Sequence, residues 1–317
     1  MYAVVEELLR TIGDRRLIYI QSHDFPDHDS IAAAYGLATL LKLKGIESRL
    51  LYEGTIQRDS LIQLIEELDI PISHSSEYDL DESDAILIVD GCKGNKNVTD
   101  LIGDEIGVID HHKVQSPENV PFVDIRPEYG ASSTIIYEYY REMGVEIPGS
   151  VATALMVGML VDTAQLTRGV CDADVDAYSR LYRVSDTGFV NALLRNNIQQ
   201  KDLNFYREAL NRIKIERGIA YCYFPEGCKQ NLLGIIGDFF LSLREVDFVC
   251  LAAKNGNRIN LSLRSEDRRW SAAQVVKELL AGIGFGGGHA DMAGGIVRDP
   301  AQFDSKSVFP FLLDRLR

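Results

Sequence analysis

Carboxylate and imidazole side chains follow the apolar runs in the first half of this sequence. Six of them are candidate metal ligands: His23, Asp27, Asp29, Asp90, His111 and Asp162. Oxygen donors combined with imidazole, without cysteine, suit Mn²⁺ or Mg²⁺ better than a structural zinc ion. Two such ions about 3.5–4 Å apart are the usual arrangement for hydrolysing phosphate esters. The residue types therefore predict a divalent-metal site for phosphate ester chemistry.

A parallel sheet would bring these side chains together. The first half of the sequence alternates short apolar runs with patterns of helical spacing, as parallel α/β folds do. These patterns predict strands over 16–22, 48–52, 85–90, 107–110 and 120–124, and helices over 30–45, 58–70, 131–144, 150–163 and 172–186. Ligands of such sheets bind beyond the carboxyl ends of the strands. His23, Asp90 and His111 each lie at the end of a predicted strand, so we expect them in one crevice.

Each of these residues also has a structural explanation. Asp29 can cap the helix that starts at residue 30, Asp90 can cap a turn, and Asp162 can end a helix. For any one residue this alternative stays open. Three ligand-type residues within the seven positions of the run HDFPDHD, residues 23–29, are better explained by a metal site.

The second half of the sequence predicts a smaller α/β domain with a mixed sheet. Two β-rich segments, VDFVCLAAK and RINLSLRS, flank the turn NGN and predict a hairpin. A helical pattern over 271–284 precedes a glycine-rich run over 285–295. We predict two domains, 1–185 and 214–317, joined by a helical connector over 186–213. The fold class is α/β, with helices on both faces of the first, parallel sheet.

Charge separates the two halves of the chain. The 317 residues carry a net charge of −14, and residues 1–190 hold 15 Lys and Arg against 33 Asp and Glu. Residues 191–317 hold 18 Lys and Arg against 14 Asp and Glu. The first half would suit cations and the second an anion, although an acidic domain of ordinary solubility beside a neutral one explains the balance equally well. We do not expect so acidic a chain to coat long nucleic acid.

The composition predicts a cytoplasmic protein. No apolar run reaches the length of a membrane span, and the first residues, MYAVVEELLR, are acidic where a signal peptide is basic. The five cysteines form no CxxC pair and are odd in number, which is typical of free thiols in a reducing compartment. Neither a membrane nor long duplex DNA is an expected partner.

The order of the motifs resembles that of a known family. Its four signature motifs correspond to HDFPDHD, VDG, IDHH and LVDT in this sequence, and they are typical of the DHH phosphoesterase family. The later NLSLRS and FGGGHADMAGG resemble the DHH-associated substrate domain. That domain accompanies RecJ-type and NrnA-type nucleases and the cyclic-dinucleotide phosphodiesterases of the family. The resemblance covers nearly the whole chain and makes a homodimer plausible.

The resemblance implies a role for each candidate ligand. His23 and Asp27 would bind one divalent ion, for which Mn²⁺ is the first choice and Mg²⁺ the second. Asp29, His111 and Asp162 would bind the other ion. Asp90 would bridge both.

The resemblance also implies three catalytic residues: Asp90, Asp110 and His112. Asp110 would orient His111 from behind the site. His112 would contact the scissile phosphate, through a hydrogen bond that strengthens as negative charge develops. Water activated by the two ions would attack phosphorus in line.

The substrate domain would bind the nucleotide through five residues: Arg264, Gly286, Gly287, Gly288 and His289. A glycine run can adopt backbone angles closed to other residues and direct several N–H groups at one anion. A guanidinium such as that of Arg264 can form paired hydrogen bonds with a phosphate or carboxylate. A tight turn with a buried histidine is the structural alternative for the glycine run.

The resemblance implies a metal-dependent phosphodiesterase. It would release mononucleotides from short oligonucleotides, as a nanoRNA-degrading oligoribonuclease does, or cleave dinucleotides such as pApA and pGpG, including cyclic ones. Phosphatase activity on pAp would use the same site. One alternative is a manganese-dependent inorganic pyrophosphatase, whose second domain would carry a basic Ser-Arg-Lys cluster. Another is a catalytically inactive nucleotide-binding sensor, in which the ligand set would be broken.

Overall fold

A six-stranded parallel sheet forms the core of the first of two units in the computed structural model of this chain. The first unit comprises Met1–Asn197 and the second Ile198–Arg317. The structure describes residues 4–56, 58–95, 97–195, 198–267 and 269–317. Within these ranges, no helix combines the length and the apolarity that a membrane crossing requires.

The first sheet is parallel in all of its strand pairs. Its strands are β1 (Leu17–Ser22), β2 (Glu47–Tyr52), β3 (Ile72–His74), β4 (Ala85–Val89), β5 (Asp104–Asp110) and β6 (Phe122–Ile125). Their order across the sheet is β3-β2-β1-β4-β5-β6. Every residue of β4 is buried, as expected for a central strand covered on both faces. The predicted α/β class with a parallel sheet is confirmed.

Helices pack on one face of this sheet, whereas we predicted helices on both faces. They are α1 (Val4–Ile12), α2 (His28–Lys42), α3 (Asp59–Glu67), α4 (Ser132–Met143), α5 (Gly149–Asp162), α6 (Asp172–Leu181) and α7 (Thr187–Arg195), with a 3-10 turn at Ser75–Glu77. Each contributes buried residues to a single core. The other face, which includes Tyr19, Ile88 and Val108, packs against loop residues such as Tyr78 and Val120. Loops replace helices there because the β4–β5 and β5–β6 connections are not helical.

The parallel sheet brings the candidate ligands to one edge. Strands β1, β4 and β5 are neighbours, and they end at Ser22, Val89 and Asp110. Because parallel strands share a direction, their carboxyl ends meet at the same edge of the sheet. His23, Asp90 and His111 are the next residues after those ends.

The second unit has a mixed sheet. Its strands are β7 (Lys214–Glu216), β8 (Ile219–Phe224), β9 (Phe248–Asn255), β10 (Arg258–Ser265), β11 (Gly284–Gly288) and β12 (Met292–Val297). Its helices are α8 (Leu203–Arg212), α9 (Gln230–Leu241), α10 (Ala272–Leu279) and α11 (Ser305–Arg315), with 3-10 turns at Gln200–Asp202 and Pro300–Gln302. The order is β11-β12-β10-β9-β8-β7, and only the β8–β9 pair is parallel. The predicted hairpin over NGN is the β9–β10 pair.

The two faces of the second sheet carry separate apolar cores. Val276 of α10 and Leu312 of α11 lie in one, together with Trp270, whose ring packs edge-on against Phe248 at 6.3 Å. Residues of α8 and α9 form the other. The span predicted as a connector, 186–213, contributes to both units: Leu193 of α7 is buried in the first and Ala209 of α8 in the second.

Candidate metal centre

The loop after β1 presents His23 and Asp27. Asp27 is the N-cap of α2, and its Oδ1 accepts hydrogen bonds from the N–H groups of Asp29 (3.0 Å) and Ser30 (3.1 Å). This cap leaves Oδ2 for the site, 3.7 Å from His23 Nε2. His23 Nδ1 donates to the Asp24 carbonyl at 2.9 Å. That bond fixes the tautomer in which Nε2 carries the free lone pair.

Two non-glycine residues at the site have left-handed backbone angles. Asp90, directly after β4, has a φ of 59°, and Phe25 has a φ of 55°. Such angles cost about 1–3 kcal/mol each and are typical of functional sites. Asp90 is held there by its N–H, which donates to the Ile109 carbonyl at 2.8 Å. Phe25 donates to the Glu53 carbonyl at 2.9 Å, and its ring lies against Gly54, where a Cβ would come within 2.8 Å.

Asp90 presents one carboxylate oxygen to each of two ligand groups. Its Oδ2 lies 3.7 Å from His23 Nε2, in the group that includes Asp27. Its Oδ1 lies 3.4 Å from His111 Nε2. His111 Nε2 is in turn 3.1 Å from Asp162 Oδ2 and 4.0 Å from Asp29 Oδ2. The six predicted ligands thus form two sets that share Asp90.

The donor atoms of these two sets fit divalent cations. Asp90 Oδ2 is a buried atom without a hydrogen-bond partner in the described part of the chain. Buried polar atoms are rarely left unsatisfied unless an ion, water or ligand completes them. Carboxylate oxygens with imidazole nitrogens are a donor set that Mn²⁺ accepts readily.

Helix α4 supports the site from behind. The N–H groups of Ser132 and Ser133 donate to Asp29 Oδ2 at 2.6 Å and Oδ1 at 2.9 Å. The Ser132 hydroxyl donates to Asp90 Oδ1 at 2.9 Å. A helix N-terminus stabilises a carboxylate through its unpaired N–H groups and its dipole. Sequence reasoning missed these serines, and the residue types carry no signal for the two bonds that come from backbone N–H groups.

Buried Asp174 fixes the segment that leads into α4. Its carboxylate accepts hydrogen bonds from the N–H groups of Gly130 (3.0 Å) and Cys171 (2.8 Å) and from the Thr134 hydroxyl (2.5 Å). Gly130 is required there because a Cβ would lie 2.6 Å from Thr163 Cγ2. Sequence reasoning gave Asp174 no role.

We predict that Ser132→Ala weakens Mn²⁺ binding about 10- to 100-fold, the range typical for loss of a group that orients a metal ligand. The substitution removes the hydroxyl that holds Asp90 Oδ1 and keeps the backbone bond to Asp29. Titration calorimetry with Mn²⁺ measures the effect. Ser48→Ala on β2 is the matched control, because the Ser48 hydroxyl has no hydrogen-bond partner among the described residues. Equal affinities for the two variants would contradict the role given to Ser132.

The two adjacent histidines are oriented differently from the expectation. The resemblance implies that Asp110 orients His111, but Asp110 Oδ1 lies 2.8 Å from His112 Nδ1 and also accepts from the His112 N–H at 3.1 Å. His111 Nδ1 instead donates to the Tyr129 carbonyl at 3.2 Å. The reason is geometric: Asp110 lies within β5, two residues before His112, so its side chain reaches the second histidine. The Arg126 guanidinium lies over the Tyr129 ring, with its Cζ 5.3 Å from the ring centroid.

Burial and repulsion shift the pKa values of the carboxylates. Burial and the charge of Asp162 raise the pKa of Asp29 to about 7. Burial and the charges of Asp29 and Asp27 raise the pKa of Asp90 to about 7. So concentrated a set of shifted groups is characteristic of functional sites.

The histidine pKa values shift upward. Burial disfavours a charged imidazole, but the bond to Asp27 and the nearby carboxylate charges outweigh it and raise the pKa of His23 to about 10. Burial is likewise outweighed at His111, where Asp162 and Asp90 raise the pKa to about 11. Without cations, the histidines are therefore protonated at neutral pH and pair with the carboxylates.

In the second unit, Arg264 lies beneath α9. Its Nε donates to Asp238 Oδ1 at 2.6 Å, and its Nη1 donates to the Ser262 hydroxyl at 3.1 Å. Its Nη2 faces Gly234, where a Cβ would come within 2.8 Å. The guanidinium predicted to bind an anion is thus held in place by an aspartate on α9.

The glycine run forms a strand rather than a loop. Gly286, Gly287 and Gly288 belong to β11, which pairs with β12. A Cβ at Gly286 would lie 2.7 Å from Val276, and one at Gly288 would lie 2.4 Å from the Met292 carbonyl, whereas Gly287 faces open space. His289 follows the strand, and its N–H closes the turn by donating to the Met292 carbonyl at 2.7 Å. The alternative of a buried histidine is wrong, because His289 is exposed.

Two family models match the chain. The model of the DHH family, N-terminal domain, matches residues 17–159. The model of the DHHA1 domain matches residues 216–309. The first match contains His23, Asp90 and His111, and the second contains Arg264 and His289.

Curated proteins are similar to this chain over part of their own length. An uncharacterized protein of Methanocaldococcus jannaschii is 28% identical over 277 residues, which are 87% of this chain and 57% of that protein. A probable manganese-dependent inorganic pyrophosphatase of Streptococcus thermophilus is 29% identical over 152 residues, 47% of this chain and 49% of that protein. The chain therefore spans about half the length of the curated relatives it matches.

Solved structures share the fold. An exopolyphosphatase-related protein from Bacteroides fragilis has a TM-score of 0.79 and 20% identity, with 98% of this chain and 96% of that chain covered. RecJ in complex with Mn²⁺ from Thermus thermophilus has a TM-score of 0.58 and 16% identity, with 98% of this chain and 53% of that chain covered. At these identities the likeness concerns the fold alone.

Proposed function

The chain belongs to the DHH phosphoesterase family, and we propose that it is a metal-dependent phosphodiesterase that hydrolyses short oligonucleotides or dinucleotides to mononucleotides. The observation that carries this proposal is the pair of ligand sets that share Asp90, one oxygen facing His23 and the other His111. When bound, two divalent ions, most simply Mn²⁺, supply an activated water and neutralise negative charge on the phosphate.

The side chains of this unit position the phosphate and the ions. His23 and His111 each donate Nδ1–H to a carbonyl and turn Nε2 toward the carboxylates. His112 is about one-third exposed, whereas Asp110 behind it is fully buried. Although burial opposes its charge, the bond to Asp110 and the charge of Asp90 raise the pKa of His112 above its usual value. His112 is thus held as a hydrogen-bond donor suited to a phosphoryl oxygen.

We predict that His112→Asn lowers kcat on pApA about 100-fold and leaves Mn²⁺ affinity within about threefold. The variant loses the charged donor that strengthens as charge develops on the phosphate, a loss of about 10²–10³ at comparable sites. Steady-state kinetics and Mn²⁺ titration measure the two effects. His74→Asn, at the end of β3, is the control. A kcat within threefold of the wild-type value would show that His112 does not contact the reacting phosphate.

The charge distribution favours a small substrate. Residues 1–190 hold 33 Asp and Glu against 15 Lys and Arg, so they offer no extended basic track for long nucleic acid. The second unit supplies Arg264 and the exposed strand β11 for recognising an anionic ligand. Linear dinucleotides and very short RNA satisfy both conditions, and cyclic dinucleotides and pAp present the same phosphate chemistry.

Inorganic pyrophosphate is the second candidate substrate. The pyrophosphatase of Streptococcus thermophilus is similar over 152 residues, a length close to that of the DHH match. The DHHA1 match and the absence of a Ser-Arg-Lys cluster favour a nucleotide substrate over pyrophosphate. An inactive sensor is disfavoured because all six ligand positions are filled and converge.

One panel of substrates tests these candidates. The full chain is incubated with Mn²⁺ or Mg²⁺ and with pApA, a trinucleotide RNA, cyclic di-AMP, pAp and pyrophosphate. We expect mononucleotide from pApA and the trinucleotide and no phosphate from pyrophosphate. Release of phosphate from pyrophosphate alone would replace this proposal with the second candidate.

A further inference from the structure

A groove lies in the second unit between the β9–β10 turn and the edge of the sheet. It has a volume of about 520 Å³. Its lining residues are Asn255, Asn257, Arg258, Phe285, Ile296 and Arg298. None of them has been given a role above. The lining combines an aromatic ring, two guanidinium groups and side-chain amides.

The aromatic ring in the groove is exposed on a sheet edge. Phe285 lies on edge strand β11 and is 53% exposed. Successive side chains of a strand alternate between its faces, and the next position, Gly286, faces Val276 in the core. Phe285 and its pair partner Ile296 therefore face away from that core. The Phe285 ring is large enough to stack with a planar ligand.

Two arginines supply positive charge beside the ring. The Arg298 guanidinium lies 5.2 Å from the centroid of Phe285. Arg258, at the start of β10, is exposed. Among the residues described, neither forms an ion pair with a carboxylate. In a chain of net charge −14, two uncompensated guanidinium groups on one surface indicate a site for an anion.

The groove continues the sheet face that carries Arg264. Arg258 and Arg264 are both on β10 and six residues apart, so they lie on the same face. Between them, Gly294 pairs with Ser262 and Gly287 pairs with Gly294. Gly287 has open space on this face. A ligand that extends from Arg264 toward the edge of the sheet would therefore pass these glycines and the Gln230 side chain before it meets Phe285.

We propose that this groove binds a nucleotide of a single-stranded oligonucleotide. The base stacks on Phe285, and the phosphate lies between Arg258 and Arg298. Stacking accepts any base, so the groove senses that a further nucleotide is present rather than its identity. This inference rests on the proposed function, because it takes its ligand class from the proposed substrate, and it assigns to the groove the preference for substrates longer than two nucleotides.

Binding of a labelled oligonucleotide tests the stacking residue. Fluorescence anisotropy is measured with fluorescein-labelled penta-adenylate RNA and the full chain in EDTA, so that no hydrolysis occurs. We expect Phe285→Ala to weaken binding about 5- to 100-fold, the range for loss of one base–aromatic stack, and Phe285→Tyr to retain wild-type affinity. Phe239→Ala on α9 is the matched control, because that ring is 41% exposed and lies outside the groove.

The salt dependence of binding tests the arginines. Loss of one phosphate contact to a single strand reduces the slope of log K against log salt by about 0.7. Because the two arginines share one phosphate, we expect this reduction for the double variant Arg258→Ala/Arg298→Ala, and an unchanged slope for Arg244→Ala, an exposed arginine after α9. Thermal melts of each variant verify that it is folded.

The outcomes separate this inference from the proposed function. With Mn²⁺, Phe285→Ala should raise KM for the pentanucleotide at least fivefold and leave KM for pApA unchanged. If the wild type hydrolyses the pentanucleotide and Phe285→Ala has the same affinity and KM for it as the wild type, the groove proposal is wrong and the proposed function stands. If pentanucleotide binding depends on Phe285 but the wild type hydrolyses no substrate, the proposed function is wrong and the groove proposal stands. Absence of pentanucleotide binding by the wild type would also overturn the groove.

Discussion

Asp90→Asn should lower kcat on pApA by at least about 10³-fold while the protein remains folded. Asp90 gives one oxygen to the His23 group and the other to the His111 group, so the substitution removes an anionic ligand from both. Loss of a single neutral donor to the reacting atoms costs about 10²–10³ in kcat, and loss of a shared ligand should cost more. Asparagine keeps the shape and the hydrogen bond from Ser132, which limits structural damage.

The same variant should be more stable than the wild type when cations are removed. Burial and neighbouring carboxylates raise the pKa of Asp90 from 3.8 to about 7, so above pH 7 its charge opposes folding. Asn carries no such charge, and we expect a higher melting temperature in EDTA at pH 8. Asp104→Asn, at the amino end of β5, is the matched control and should change neither kcat nor the melting temperature appreciably. Turnover within tenfold of wild type would refute the shared-ligand assignment.

Removal of divalent cations should abolish turnover, and Mn²⁺ should bind more tightly as pH rises from 6 to 8. A ligand must lose its proton before it binds a metal ion. The pKa values of four of the ligands lie above those of free histidine and aspartate. They are about 10 for His23 and about 11 for His111. They are about 7 for Asp29 and for Asp90. Protons therefore compete with cations across neutral pH. Calorimetry in two buffers of different ionisation enthalpy measures the protons released.

The stability of the cation-free protein should have the opposite pH dependence. A carboxyl whose pKa is raised on folding binds more protons in the folded state, so stability falls as pH rises from about 4 to about 7. The stabilising contribution of the two histidines is complete below about pH 6.5, decreases as pH rises further, and is fully lost above about pH 10 to 11. Melting temperatures in EDTA should therefore fall between pH 5 and pH 8. Mn²⁺ should raise them most at pH 8. Mn²⁺ affinity that is independent of pH would contradict this account.

The ligand types were predictable because coordination chemistry restricts them. Few side chains bind Mn²⁺ or Mg²⁺, and each of the six candidates follows or ends an apolar segment that had to be a strand or a helix. Most strands and helices were predictable from hydrophobic periodicity, whereas the short strand β3 and the glycine-rich strand β11 were not predicted. Within the span predicted as a connector, the sequences of the amphipathic helices α7 and α8 give no sign of which core buries their apolar side.

The groups that orient the ligands could not be predicted. Backbone N–H groups of Ser132 and Ser133 contact Asp29 more than a hundred positions away, and backbone groups leave no mark on residue type. We predicted that Asp110 orients His111, but its side chain pairs with His112. The sequence cannot distinguish two adjacent imidazoles, because only the local direction of the chain decides which of them faces Asp110. Similarly, the glycine run predicted to bind an anion is a strand in which close packing requires glycine at 286 and 288 but not at 287.

By itself, the sequence determined the chemistry of this protein: a set of oxygen and imidazole donors, an α/β framework to support them, and a second domain with positive charge. The tertiary structure alone decided which candidate donors lie together, that Asp90 faces both sets, and which nitrogen of each histidine points inward. The physical reason is that donor type is a property of one residue. Distance and orientation are instead properties of three adjacent strand ends and a helix N-terminus, which only folding brings together.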